Sequence, residues 1–510
     1  MNFVQKINVN IIKTAIVKIS DIMLIFFVAR FMGPEPLGLI SFGTAYISLF
    51  LVISNLGFDT AHVKKVSEGK DLGRCVGTYL SFKILICVLI ILFVFSSFYI
   101  QSEFLNSDFS HPDQKKVIML LLIPTILLQL VMVVSGTFEG QTKSASASLP
   151  YVLAPLVRLP FGISVAILGL GVYWLIYSKI LRSLVLLFSF LYLFRNYPLK
   201  RPNLDYFKDY FSFAWKLFFY SMFTIISLQI SRIILGSTHE VIDLGIYSTL
   251  HVLVSTLLIL PASVKTLLFP VISKISRENQ SSSRIISYVN RSERYISILI
   301  LPLIITLGYF SEEVIHLFLG DNFISGSLTL SLLCIWVYLD STKSPHGIQL
   351  MGTDRVGLNV IIGSFSIILH IFLNIILIPK SLYGYKLFGL GMEGAAISAI
   401  ISALFLAISY RFVFFKIYGI GINRSLFVHF FAGIILLAIY INFSYIFDIS
   451  SLSSIYLFLA FILISAFGAT FFFLILATFN ELTKEDYDFF RRSLDINETS
   501  KYATSEIYNN

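Results

Sequence analysis

The sequence predicts an all-α polytopic membrane protein of about fourteen transmembrane helices, built as two parallel six-helix repeats plus two extra helices. Three observations predict it. The 510-residue chain is 56% hydrophobic and only 13% charged, with a mean hydropathy of +0.84, which excludes an ordinary soluble domain. Apolar stretches of roughly 20 residues, enough to cross a hydrocarbon core about 30 Å thick, recur along its whole length. Short strings also recur about 207 residues apart between its halves.

The expected spans are 10–32, 38–60, 76–99, 117–136, 149–170, 172–194, 211–236, 243–264, 294–318, 326–344, 356–379, 392–412, 425–445 and 453–478. The first carries Lys18 and Asp21, runs too long for a signal h-region and lacks a small-residue cleavage site, so no cleavable leader is expected. The third carries Lys83. The fifth carries Arg158 between Pro155 and Pro160, and the sixth carries Lys179 and Arg182. Asp340 lies near the end of the tenth, and His370 and Asn374 share a face of the eleventh. Outward loops are short; the longest, Gln101 to Lys116, could not form a domain. Inward loops are longer and basic, above all 265–293 with Lys265, Lys274, Arg277, Arg284 and Arg291. The implied domains are a six-helix lobe at 1–200, a second at 201–415, two additional helices at 416–479 and a polar tail at 480–510.

An even number of spans puts both termini on one side. Of the 38 Lys and Arg, only Lys115, Lys116, Lys380 and Lys386 fall in loops on the other side, so the positive-inside rule places both termini in the cytoplasm. The net charge of +9 is then mostly a topogenic signal, and a nucleic-acid partner is not expected. Cys75, Cys87 and Cys334 sit in or beside spans without metal-ligand spacing and read as free thiols.

The repeat is carried by two echoes. Arg30-Phe-Met-Gly33 followed by Leu37-Gly38-Leu39-Ile40-Ser41 returns as Arg232-Ile-Ile-Leu-Gly236 followed by Leu244-Gly245-Ile246-Tyr247-Ser248. Gly136-Thr-Phe-Glu-Gly140-Gln-Thr-Lys143 is echoed by Gly347-Ile-Gln-Leu-Met-Gly352-Thr-Asp-Arg355. Each half holds six spans, so both insert the same way up, and substrate would bind between them.

The candidate site follows from cost. Lys18, Lys83, Arg158, Lys179 and Arg182 lie deep within the first six spans. An insertion cost of about 2.5–3.5 kcal/mol per central charge forbids leaving them against lipid. They must face water, a partner or an anionic ligand; snorkelling to the interface is the alternative, strongest for Lys83. Lys179 and Arg182 are three residues apart and share a helix face, and the prolines flanking Arg158 kink its helix and free carbonyls. Arg30, in the repeated string, completes the cationic set. Asp21 either pairs with Lys18 or binds a coupling cation, and His370 is a candidate proton relay. A cavity so lined attracts anions.

Two motif matches carry nothing. Gly389-Leu-Gly391-Met-Glu-Gly394 fits a dinucleotide fingerprint without the strand it needs, and Asp486-Tyr-Asp488 stands alone on the tail. There is no P-loop, His-Glu-x-x-His or catalytic carboxylate pair, so neither enzyme chemistry nor a cofactor or metal is expected.

Ala29-Arg30-Phe-Met-Gly33-Pro34-Glu-Pro-Leu-Gly38-Leu through Asn55-Leu-Gly57-Phe-Asp59-Thr-Ala61 resembles the opening of the Wzx-type oligosaccharide flippases. These form the polysaccharide branch of the multidrug/oligosaccharidyl-lipid/polysaccharide exporter superfamily. The string Arg232–Ser248 and the segment Leu268-Phe-Pro270-Val-Ile-Ser273 are similar to later family segments, as is Asn374–Pro379 with Gly391–Ser398; together they cover roughly residues 5–480. Family members often carry Asp before the Arg of the second string, where this chain has Ser231, which puts any cation role there in doubt. The resemblance implies a flippase of the bacterial inner membrane that moves an undecaprenyl-diphosphate-linked repeat unit of O-antigen or capsule by alternating access. It also implies a polyprenyl groove at the last two helices, and it admits polymerase and chain-length proteins as partners. A cation-coupled drug exporter on the same fold would want acids in its cavity. A membrane polymerase or glycosyltransferase would want a large outward loop, which the sequence lacks.

Overall fold

The computed structural model describes residues 3–53, 57–103, 109–278, 282–382, 384–446 and 454–481, with the backbone alone for 3–12, 53, 212–221, 223–224 and 454. Those residues form seventeen α-helices and one two-stranded hairpin. In chain order the helices are α1 (Phe3–Met32), α2 (Glu35–Phe50), α3 (Phe58–Ser67), α4 (Leu72–Glu103), α5 (Gln114–Gly140), α6 (Ser144–Ile167), α7 (Val172–Phe194), α8 (Leu204–Thr238) and α9 (Val241–Ser255). They continue as α10 (Ile259–Arg277), α11 (Ser282–Tyr309), α12 (Ser311–Phe318), α13 (Ser327–Gly352), α14 (Val356–Leu377), α15 (Gly391–Tyr418), α16 (Arg424–Ile446) and α17 (Ser454–Thr478). The hairpin between α14 and α15 pairs Ser381 with Lys386 and Leu382 with Tyr385. Eleven of the described helical stretches are long and apolar enough to cross a membrane, and the fold is that of an all-α polytopic membrane protein.

The first compact unit ends at Thr249. Here α1 lies along α6, α6 along α7, and α7 along α5, which also touches α2, α3 and α4. Val131, Val134 and Phe138 of α5 pack with Ala154 of α6 and Leu186 and Phe190 of α7 as one buried apolar layer. The first echo acquires a structural meaning within this unit. Ser41 and Ser248, 207 residues apart, share a hydrogen bond of 2.6 Å. A Cβ on Gly38 would stand 2.0 Å from the Val241 carbonyl oxygen, and one on Gly245 would stand 2.0 Å from that of Pro34. Val241 lies as far beyond Pro34 as Gly245 beyond Gly38, so repeat-related backbones cross reciprocally, as across a two-fold axis.

In the second unit, which begins at Leu250, α13 is central and packs against α10, α11 and α15. α14 lies on α15, while α16 bridges α11 and α17. Tyr440 of α16 ties this last group together: its hydroxyl bonds Thr306 of α11 at 2.9 Å and occupies the space that a Cβ on Gly468 of α17 would need.

Several expected boundaries need correction. The span expected at 38–60 is not one helix: α2 stops after 16 residues, a 3-10 turn follows at Leu51–Ile53, and α3 starts behind Gly57, whose φ of 88° breaks helical continuity. The eighth span runs on through a 3-10 turn at Thr256–Leu258 into α10, and α11 starts at Ser282, so most of the basic stretch 265–293 is helical rather than loop. Its charges disguised helices that keep an apolar face, with Leu268, Ile272, Ile275, Ile285 and Val289 buried together. The tenth span extends to Gly352. The tail from 482 onward, with Asp486 and Asp488, and the side chains in the first half of the seventh span lie outside the described residues.

A candidate anion site in the first unit

α6 is an unusual helix, with Pro150, Pro155 and Pro160 in its interior. Each proline removes a backbone donor and bends the helix. α1 seats against the bent segment: Leu24 fills the space where Gly162 has no side chain, and Leu24, Val28, Val165, Ala166 and Leu175 close a small apolar core. One turn from Leu24 along α1 stands Asp21, and there the guanidinium groups of α6 and α7 converge on it.

Arg158 Nη1 donates to Asp21 Oδ1 at 2.5 Å, and Arg182 Nη1 of α7 stands 3.9 Å from the same oxygen. Lys179 is one turn from Arg182 on α7, half-buried, and has no hydrogen bond or ion pair among the described residues. The Nε atoms of Arg158 and Arg182 are both buried without a hydrogen-bond partner there. Two guanidiniums therefore share one carboxylate, leaving a surplus of positive charge and at least two unsatisfied guanidinium donors. The side chains remain 12%, 26% and 40% exposed at Arg158, Arg182 and Asp21, so the group is reachable. A planar donor fork with spare N–H groups and surplus charge suits phosphate oxygens better than any neutral ligand.

The other predicted residues go elsewhere. Lys18 is exposed on α1, and the expected Lys18–Asp21 pair is not formed: Asp21 turns to Arg158 instead. A lysine preceding its acid on a helix is the weaker order, and the rigid fork of Arg158 comes from a helix already packed on α1. Arg30 lies nine residues beyond Asp21, about 14 Å along the helix, and is exposed. Lys83 neither snorkels nor joins the cluster. It is fully buried, bonded to Asp59 Oδ1 and Gln129 Oε1 at 2.8 Å each, and Tyr79 also donates to Asp59. His370 belongs to the second unit, where it meets Asn374 of its own helix at 3.2 Å.

The second unit adds one cluster that the sequence reading did not single out, and a cavity at the last two helices. Glu293 of α11 is buried between Arg411 of α15 and His346 of α13. At the α16–α17 junction a cavity of about 260 Å³ is lined by Ile439, Tyr440, Phe443, Leu463, Ile464 and Phe467. Among the described residues no group of three or more His, Cys, Asp or Glu could hold a metal ion.

Residues 27–327 match the sequence profile of a family described as "Polysaccharide biosynthesis protein". A probable low-salt glycan biosynthesis flippase, Agl15 of Haloferax volcanii, is 23% identical over 389 residues, 74% of this chain and 76% of that protein. Among solved structures, the lipid II flippase MurJ in an inward closed conformation superposes with a TM-score of 0.71 at 14% identity, over 92% of this chain and 99% of that one. An inward-facing multidrug resistance MATE transporter gives a TM-score of 0.58 at 14% identity, over 78% and 94%.

Proposed function

Because the chain belongs to the polysaccharide biosynthesis protein family, we propose that it is a flippase for a polyprenyl-diphosphate-linked oligosaccharide, and that Arg158, Lys179 and Arg182 bind the diphosphate. The observation that carries this reading is the surplus of positive charge around Asp21 inside an apolar helix bundle. A diphosphate diester brings about two negative charges and a ring of acceptor oxygens, which balance that surplus and satisfy the free guanidinium donors.

Transport rather than catalysis follows from the same site. It has cations to hold an anion, but no nucleophile beside a base. The site must bind weakly enough to release, and Asp21 serves that end as a resident anion that competes with the diphosphate. The finer reading keeps undecaprenyl diphosphate as the carrier, O-antigen or capsule as the product, the bacterial inner membrane as location and both termini in the cytoplasm. In that setting, polymerase and chain-length proteins would take over the exported unit.

Reconstituted protein tests the proposal: transfer of a fluorescent polyprenyl-diphosphate glycan between leaflets should depend on the protein and be inhibited by inorganic diphosphate. Transfer of organic cations in place of the glycan would overturn it in favour of a drug exporter.

A further inference from the structure

The second unit holds a surface that the flippase reading leaves unused. α14 runs for 22 residues, about 33 Å at 1.5 Å per residue, which matches a hydrocarbon core about 30 Å thick. Its exposed Ile361, Phe365, Ile368, Phe372 and Ile375 follow one another by four and three positions, so they form a single stripe along the helix. α15 packs on another side of α14, and the stripe left open is the lipid face of this span. Leu377 then stands at the edge of the hydrocarbon, and the hairpin begins where the headgroup layer begins.

Two properties fit the hairpin to that layer. The first is a backbone satisfied without water. Five successive carbonyls, Ile376 through Lys380, accept from five successive amides, Leu387 through Gly391, at 2.9–3.3 Å. A helix leaves its last carbonyls open, and a segment that caps them itself can enter a water-poor layer at little cost. The second is the sorting of side chains. Leu382 and Tyr385 stand opposite each other and share one face, while Ser381 and Lys386 share the other. All four are exposed, with Tyr385 at 77%, and so is Phe388 just beyond, at 67%. A two-stranded hairpin with neither face covered is marginal in water, and apolar side chains this open together mark a surface that is covered in use.

We propose that the hairpin is a membrane-interface anchor: Leu382, Tyr385 and Phe388 enter the lipid headgroup layer at that end of α14, and Lys386, on the opposite face, meets lipid phosphate. Aromatic rings favour that layer, and a lysine stem carries its charge from apolar surface to the phosphates. The anchor continues the lipid face of α14 and is fixed to it by the five backbone bonds, so it sets the depth at which α14 and α15 sit. The inference goes beyond the flippase reading and holds for any cargo.

The test is spin-label EPR on the full chain in phosphatidylcholine–phosphatidylglycerol vesicles, with single labels at Tyr385→Cys, Phe388→Cys and Lys386→Cys. Phe365→Cys on the α14 stripe is the hydrocarbon reference, and Lys70→Cys, exposed just after α3, is the water reference. The native Cys75, Cys87 and Cys334 are buried, and the signal of the unsubstituted chain is subtracted. All the replaced side chains are exposed, so the variants should fold. The reading is the ratio of collisions with oxygen to collisions with a water-soluble nickel chelate, which rises with depth in lipid. At Tyr385 and Phe388 it should exceed the Lys70 value several-fold and approach the Phe365 value, whereas Lys386 should stay near the Lys70 value. Nickel access at Tyr385 and Phe388 equal to that at Lys70 would overturn the proposal in favour of water. Few collisions with either reagent would overturn it in favour of contact with a second copy of the chain. Neither result touches the diphosphate site.

Discussion

Replacing Arg182 by glutamine separates ligand binding from fold stability, because Arg182 stands next to an acid without being bonded to it. Its Nη1 lies 3.9 Å from Asp21 Oδ1, whereas Arg158 Nη1 lies 2.5 Å from the same atom and bonds it. At an effective dielectric of about 20, a charge pair at 3.9 Å attracts by about 4 kcal/mol before desolvation. Repulsion from Arg158 and Lys179 and the lost hydration of a largely buried guanidinium oppose that attraction. The net stability change for R182Q should therefore lie within about 1 kcal/mol of zero. The same substitution removes a charge-assisted contact to the diphosphate worth about 1.5–3 kcal/mol, a ten- to hundredfold loss of affinity. R182K, which keeps the charge but loses the fork, should fall between. The assay is leaflet transfer in proteoliposomes, with thermal unfolding measured on the same preparations. R182Q that transports at the wild-type rate, or that loses clearly more than about 1 kcal/mol of stability, would refute the reasoning.

Asp21→Asn leaves three cations with no anion, so glycan should bind more tightly yet turn over more slowly; equal binding and flux would remove Asp21 from the site. Lys83→Met strands Asp59 and should cost about 1–3 kcal/mol, discounted because Asp59 is 34% exposed, and the double change with Asp59→Asn should recover most of it on thermal unfolding. Gly38→Ala and Gly245→Ala each drive a Cβ to 2.0 Å from a backbone oxygen, so each alone should abolish transport, and the double variant should be no worse. His62 on the ten-residue helix α3 is pushed down from 6.5 to about 3, by burial first and by Lys83 second. A depressed histidine stabilises while neutral, so its contribution is complete above about pH 6.5 and is lost on acidification toward pH 3. His62→Gln should make the melting temperature less sensitive to acid over that window.

The sequence alone determined the class of this protein, because the length and apolarity that a bilayer demands are properties of single segments. It also determined that charges such as Arg158, Lys179 and Arg182 need compensation, since their cost depends only on depth in a span. Two spans escaped local reading for local reasons: the second breaks at Gly57, and the basic helices α10 and α11 hid their apolar face among charges. Which charges meet was decided by helix packing. Asp21 lies three residues from Lys18 in the chain but bonds Arg158, 137 residues away, because α1 seats on α6. Lys83, equally deep by sequence, is neutralised by Asp59 and leaves the cationic group. The Glu293–His346–Arg411 cluster was invisible for the same reason: each residue stands at or just outside the margin of a different expected span, at 294–318, 326–344 and 392–412, and only packing brings them together. The echo strings could be seen in the chain, but only the crossing of Gly38 and Gly245 showed why their glycines cannot carry a side chain. A segment's apolarity fixes whether it enters the membrane; the neighbour its polar groups find there depends on the packing of helices distant in the chain.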